Sequence, residues 1–353
     1  MDRRAVTATP GALSPGELDT SKPLTAVPQR SLAIEVSALS KRYGEVQAVH
    51  SVSFSVERGE VFAFLGPNGA GKSTTIKMLC TLARPSAGRA RVAGFDVVRQ
   101  PKAVRRHIGL VFQDQTLDDQ LTAEENLRFH AVLYRVPHDQ VARRIDRVLR
   151  LVALEDRRRD LVGTFSGGMA RRLEIARGML HTPSVLFLDE PTVGLDPQTR
   201  ALMWEDVLRM RREEGVTIFL TTHYMDEAEY ADRIAIIDHG QIVALDTPDQ
   251  LKHQVAADAV ELVTADDVVA EQRLAAAGFQ VRRDPERLVI FTANGEAQVA
   301  RIVESAGVAV RNVHVHRPTL DDVFLHYTGR QIREGPAERS VAMPLRARMT
   351  RRR

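Results

Sequence analysis

The sequence predicts an α/β fold, a largely parallel sheet covered by helices and opening onto a phosphate-binding loop. Three observations carry this. An apolar pentapeptide, 61–65, runs straight into the glycine-rich stretch Gly66-Pro67-Asn68-Gly69-Ala70-Gly71-Lys72-Ser73 and then into a helical run over 74–82. A second apolar strand, 184–188, ends in the paired carboxylates Asp189 and Glu190. Strand-like and helix-like periods alternate from 61–65 to about Ile237, the order of a helix-covered parallel sheet.

The length of 353 residues suits two domains with tails, and 44% hydrophobic residues supply a buried core. A net charge of +3 is small for this length, so nucleic acid is not an expected partner; the basic excess is local to the C-terminus. Cys80 is the one cysteine, which excludes an internal disulfide framework and a multi-cysteine zinc site. Lying among Met78, Leu79 and Leu82, it reads as a small buried hydrophobe. No apolar run approaches the roughly 20 residues that span a bilayer. Residues 1–30 are rich in Pro, Thr, Ser and Ala and lack an apolar signal core, so a disordered leader is expected there.

Taken in order, Leu32, Ile34 and Val36, then Val52, Phe54 and Val56, alternate as half-buried strands of an N-terminal antiparallel region. Arg58-Gly59 marks a turn before the buried strand. The loop Gly66–Ser73 matches G-x-x-x-x-G-K-[ST] between a strand and a helix, where its glycines let backbone N–H groups converge on phosphate oxygens. The helix beginning near Thr74 adds its positive dipole end. Lys72 can reach the β- and γ-phosphates and Ser73 can ligate Mg²⁺. At the end of the second strand, Asp189 would hold the metal directly or through water, and Glu190 would take the proton of the attacking water. Thr122-Ala123-Glu124-Glu125 reads as a capping box opening a helix. Asp238-His239-Gly240-Gln241 reads as a hairpin turn. After Pro248 a new β-α-β-β-α-β order begins, a small α+β domain for which a ferredoxin-like arrangement is one candidate. His314 and His316 share a strand face there, too few ligands for a metal site.

Phe165-Ser166-Gly167-Gly168-Met169 resembles the signature motif of ABC ATPases, whose usual form is LSGGQ. Other motifs of that family follow in order. Tyr43, in Lys41-Arg42-Tyr43-Gly44, resembles the adenine-stacking aromatic, with a packed strand tyrosine as the alternative. Gln113 resembles the Q-loop glutamine, Gly194-Leu195-Asp196 the D-loop, and His223 the switch histidine. The resemblance spans about 31–251. It implies a P-loop NTPase core of ABC ATPase type, with an antiparallel β subdomain, a helical subdomain, and a small α+β C-terminal domain. ATP and Mg²⁺ would be the cofactors, with Glu190, His223, Gln113 and Lys72 catalytic and Ser73, Gln113 and Asp189 at the metal. Gly66 through Thr74 and Tyr43 would bind nucleotide, facing Ser166 and Gly168 of a second copy packed head to tail. Phe165 and Met169 depart from the usual Leu and Gln, so any nucleotide contact by the glutamine amide is lost.

The expected divisions are 1–30 as leader, 31–246 as the ATPase, 247–330 as the α+β domain, and 331–353 as a basic disordered tail. The stretch Arg317-Pro318-Thr319-Leu320-Asp321-Asp322-Val323-Phe324 resembles the end of the C-terminal domain of daunorubicin-type exporter ATPases. That favours drug export through a separate transmembrane permease, with the chain peripheral on the cytoplasmic side of the membrane. Contact of the arginine-rich tail with anionic lipid is a secondary expectation. A non-transport ABC ATPase acting on ribosomes or DNA is the rival. It is disfavoured by the single P-loop and by the short span between Lys72 and Ser166. A nucleotide-binding module with a dead site is disfavoured by the presence of Lys72, Glu190 and His223.

Overall fold

The computed structural model describes residues 31–255, 258–284, 287–292 and 294–329. The expected leader 1–30 and basic tail 331–353, and with the tail the expected lipid contact, lie outside the described residues. Strands β1 (Leu32–Tyr43) and β2 (Val46–Glu57) pair antiparallel and turn inward Ile34, Val36, Val52, Phe54 and Val56 of the alternating residues that the sequence marks, while Leu32 at the strand's start is exposed. Strand β3 (Val61–Leu65) is buried on both faces and leads through the glycine-rich loop into α1 (Lys72–Leu79). Next come β4 (Ala87–Val92), β5 (Phe95–Asp96), α2 (Pro101–His107) and β6 (Ile108–Val111). Helix α3 (Ala123–Leu133) opens with the expected capping box, Thr122 Oγ1 accepting from Glu125 N and Glu125 Oε2 accepting from Thr122 N. Helix α4 (His138–Leu151) completes a helical insert before α5 (Gly167–Met179).

Strand β7 (Val185–Asp189), α6 (Pro197–Glu214), β8 (Thr217–Thr222), α7 (Met225–Ala228) and β9 (Arg233–Asp238) follow. The turn at His239-Gly240, both with positive φ, folds β10 (Gln241–Asp246) back on β9. The main sheet has the order β10-β9-β3-β8-β7-β6, parallel except for its β10 edge. The antiparallel sheet β2-β1-β4-β5 covers one face of it. Phe62 and Phe64 point to that side, meeting Phe54 and Phe219 at ring distances of 5.5–5.7 Å. Val61, Ala63 and Leu65 point to the other side, into the core formed with the helices. Cover on both faces is why these strands read as continuous apolar runs. Cys80 is buried in the aromatic-side core, where burial pushes its thiol well up.

Helix α8 (Pro248–Val255) leads to β11 (Asp258–Thr264), α9 (Asp267–Ala276), β12 (Gln280–Asp284), β13 (Arg287–Thr292), α10 (Gly295–Ala306) and β14 (Val310–His316). The third sheet is antiparallel in the order β12-β13-β11-β14, the ferredoxin-like arrangement, with its own core around Val260, Leu262, Leu288 and Ile290. The chain then returns. Helix α11 (Leu320–Thr328) packs on α8 and β10, sending Leu320, Val323 and Phe324 with Leu251 into the core of the main sheet.

Helix α5 is enclosed all round rather than only along the apolar face that Met169, Leu173, Ala176 and Leu180 form. It is buried from Gly168 to Met179 save for Met169 and Arg172, which are half-buried, and its charged Arg171, Glu174 and Arg177 are inside. Helices α3, α4 and α6 and strand β6 all pack against it, so no side is left to solvent.

Candidate functional site

The glycine-rich loop gets its shape from close approach. Gly71 caps α1 at φ 106°, and a Cβ there would stand 2.6 Å from the Ala48 carbonyl of β2. Gly66, Ala70 and Gly71 are buried, Pro67 and Thr74 half-buried, and Asn68 and Gly69 exposed. Lys72 is buried, its Nζ donating to the carbonyls of Gly66 (2.6 Å) and Pro67 (3.1 Å) and lying 3.0 Å from Glu190 Oε1.

The parallel register brings the strand ends to one level, pairing Leu65 with Thr222, Asp189 with Thr221, and Val111 with Leu188. Asp189 Oδ1 accepts from Ser73 Oγ (3.1 Å) and from Thr221 Oγ1 (2.6 Å). Glu190 follows with φ 46°, a left-handed conformation uncommon outside glycine, its N–H held by the Thr221 hydroxyl at 3.1 Å. His223 Nδ1 lies 3.4 Å from Glu190 Oε2, off the hydrogen-bond line, so the contact is electrostatic. Burial pushes the Glu190 carboxyl up, but His223 and Lys72 together outweigh burial and hold it down at about 2. Burial pushes the Lys72 ammonium down, and Glu190 opposes that.

Lys72, Ser73, Asp189, Glu190 and His223 thus form one connected cluster. Gln113 lies two residues beyond β6, level with Glu190 by register, and is exposed. Tyr43 ends β1 with 48% of its surface exposed, not packed in the sheet, with Lys41 Nζ 4.6 Å from its ring centre. Ser166 and Gly167 are exposed. Ser166 Oγ caps α5 by accepting from Met169 N at 3.3 Å. Gly168 abuts Thr199, and a Cβ at that glycine would collide with the Thr199 methyl. The signature stretch therefore seats on the start of α6, where Asp196 caps the helix by accepting from Thr199 N at 3.0 Å.

Two parts of the site escape sequence reasoning. Thr221 carries no motif by itself. The second part is a buried charged group on α5. Arg171 Nη1 donates to Glu174 Oε2 at 2.8 Å and Arg177 Nη1 to the Thr116 carbonyl at 3.0 Å, while Glu174 Oε1 accepts from Thr116 N at 2.7 Å. Arg171, Glu174 and Arg177, spaced i, i+3 and i+6, fall on one helix face and read by pattern as a solvent face, so the sequence carries no signal of their burial.

Ser73 Oγ and Asp189 Oδ1 are hard oxygen donors already in contact, a donor set that fits Mg²⁺. The curled loop with Lys72 at its base fits a nucleotide polyphosphate.

Residues 49–193 match the ABC transporter family profile. The chain is 40% identical over 319 residues to the daunorubicin resistance ATP-binding protein DrrA2 of Streptomyces coeruleorubidus, covering 88% of this chain and 99% of that protein. It is 36% identical to the linearmycin resistance ATP-binding protein LnrL of Bacillus subtilis (strain 168), covering 85% of this chain and all of that one. Among solved structures, an ATP-binding subunit of an ABC transporter superposes with a TM-score of 0.57 at 34% identity, over 63% of this chain and 92% of the other. A dimeric ATP-binding cassette in a post-hydrolysis state with ADP and Pi superposes with a TM-score of 0.55 at 25% identity, over 61% and 98%.

Proposed function

The chain belongs to the ABC transporter family as one of its ATP-hydrolysing subunits, and from that premise we propose that it energises efflux of a drug through a separate permease. The observation that carries this reading is the joined cluster of Lys72, Ser73, Asp189, Glu190 and His223, in a chain similar to drug-resistance subunits along their whole length. Subunits of this family dimerise and work with transmembrane permeases. Among the described residues no helix is long and apolar enough to cross a membrane, which accords with a transport path in the partner. We place the chain on the cytoplasmic face, where ATP is, with the arginine-rich segment 331–353 suited to anionic lipid.

In this reading the reaction is ATP + H₂O → ADP + Pi. The loop N–H groups and the Lys72 ammonium bind the phosphates, and the exposed Tyr43 ring stacks on adenine. Ser73 and Asp189, with Gln113 nearby, would hold Mg²⁺, which offsets phosphate charge. Glu190 takes a proton from the water that attacks the γ-phosphorus as the bond to the β-phosphate oxygen breaks. Its ties to His223 and Lys72 make it a weak base. When the ammonium turns to phosphate, the Lys72 share of that restraint falls away and the carboxylate gains basicity. His223 orients the carboxylate from its other oxygen. Ser166, exposed at the start of α5, and Gly168, buried just behind it, would complete the site of a partner copy packed head to tail.

The test is ATP-driven accumulation of daunorubicin in inverted membrane vesicles holding the chain with its permease. Lys72→Ala is expected to abolish it. Accumulation undiminished by that substitution refutes the reading, as does drug movement in the opposite direction.

A further inference from the structure

The strongest unassigned feature is the buried guanidinium of Arg171. Its Nε donates to the Pro191 carbonyl at 2.6 Å, and its Nη1 to the Phe112 carbonyl and to Glu174 Oε2 at 2.8 Å. Its Nη2 reaches the carbonyls of Asp189 and Glu190, each at 3.4 Å. One side chain therefore gathers the three successive carbonyls of Asp189, Glu190 and Pro191, at the end of β7, and the carbonyl just before Gln113.

We propose that Arg171 is a positioning residue for hydrolysis: it holds the backbone of Glu190 and the entry to the Gln113 loop in the arrangement that the reaction needs. The proposal rests on the reading of Glu190 as the proton acceptor.

Stability alone does not account for this group. A buried ion pair is often no more stabilising than apolar residues of the same volume, and Glu174 is one carboxylate shared between Arg171 and Arg177. What Glu174 cannot do is occupy the other donors. Those donors run to backbone that adopts an uncommon conformation. Glu190 has φ 46°, held at its N–H by Thr221 and at its carbonyl side by Arg171. With the guanidinium withdrawn, the peptide after Glu190 is released to rotate, and the carboxylate swings away from Lys72 and His223. Only arginine offers a planar fork that serves divergent acceptors at once, whereas a lysine ammonium serves a single point. Arg171 also lies on the helix that Ser166 caps, in the next turn or so, so the signature stretch, the acid and the Gln113 loop share one rigid link. Behind it, Glu174 fixes the guanidinium and anchors Thr116 of the same loop.

The experiment compares Arg171→Lys, Glu190→Gln and the double variant, each as full chain with its permease, by phosphate release and by binding of a fluorescent ATP analogue. A misplacement of this kind costs on the order of 10²-fold in rate, so Arg171→Lys is expected to lower kcat by roughly 10²-fold with nucleotide affinity within about 3-fold of the parent. Because Arg171 acts through Glu190, the double variant is expected to turn over within about 3-fold of Glu190→Gln alone. Parental kcat for Arg171→Lys overturns the proposal, as does a double variant showing the product of the two losses. Should Arg171→Lys not fold, Glu174→Gln disturbs the same guanidinium, and parental kcat for it overturns the proposal. If Glu190→Gln alone turns over normally, the reading of Glu190 fails, an outcome separate from a silent Arg171→Lys.

Discussion

Replacing Glu190 by glutamine removes one charge and almost nothing else. The amide keeps the side-chain shape, the φ of 46° and the N–H bond to Thr221. Loss of a general base typically lowers turnover by ~10²–10⁴-fold. The structure adds a second effect of calculable size. Glu190 is held at about 2 against an ordinary 4.5, burial being outweighed by His223 and Lys72. At about 1.4 kcal/mol per pH unit, that depression corresponds to roughly 3 kcal/mol of folding stability at neutral pH. Because the folded value lies below the unfolded one, the contribution is full above pH 4.5 and is lost as the pH falls toward about 2. Glu190→Gln is therefore expected to slow phosphate release and, without nucleotide, to unfold at lower urea at pH 7.5. The gap should narrow below pH 4.5. Parental turnover refutes the assignment of Glu190 as base, and equal urea midpoints at pH 7.5 refute the electrostatic account of the cluster.

In a linked dimer carrying Lys72→Ala in one copy and Ser166→Arg in the other, head-to-tail packing puts both lesions in one site. Nucleotide trapping should then recover at the second site while both homodimers fail; a mixed dimer that traps no more than they do ends that model. The Glu227 carboxyl is pushed up to about 7 by burial, against the Thr222 hydroxyl and Arg200, so the folded chain keeps a proton that the unfolded chain loses near 4.5. Stability should fall as pH rises through that window, and Glu227→Gln should gain roughly 1–3 kcal/mol at pH 8 but not at pH 4.5; equal urea shifts at both values contradict this. Phe324→Ala should cost about 3–5 kcal/mol, because the ring is fully buried beside Leu251, yet leave nucleotide affinity unchanged. Undiminished stability in urea would show that α11 does not support the main core.

Much of the site is legible in the chain because its chemistry is local. A phosphate cradle needs consecutive backbone N–H groups with glycine at fixed steps, so Gly66–Ser73 announces itself. The acids Asp189 and Glu190 end an apolar run, and the bond from Thr122 to Glu125 joins residues three apart. The positive-φ turn at His239-Gly240 is local in the same way. Thr221 is different. It meets Asp189 only because β7 and β8 pair in one register out of many, which no segment near either residue encodes. Arg171, Glu174 and Arg177 look like the solvent face of a helix until α3, α4, α6 and β6 close around it. The return of α11 onto α8 places Phe324 in a core whose other members lie far back in the chain. Short-range hydrogen-bonding and conformational rules set the motifs, so sequence alone determined them. Burial and strand register depend on which distant surfaces meet, so only the tertiary structure decided what surrounds those motifs and holds them to their task.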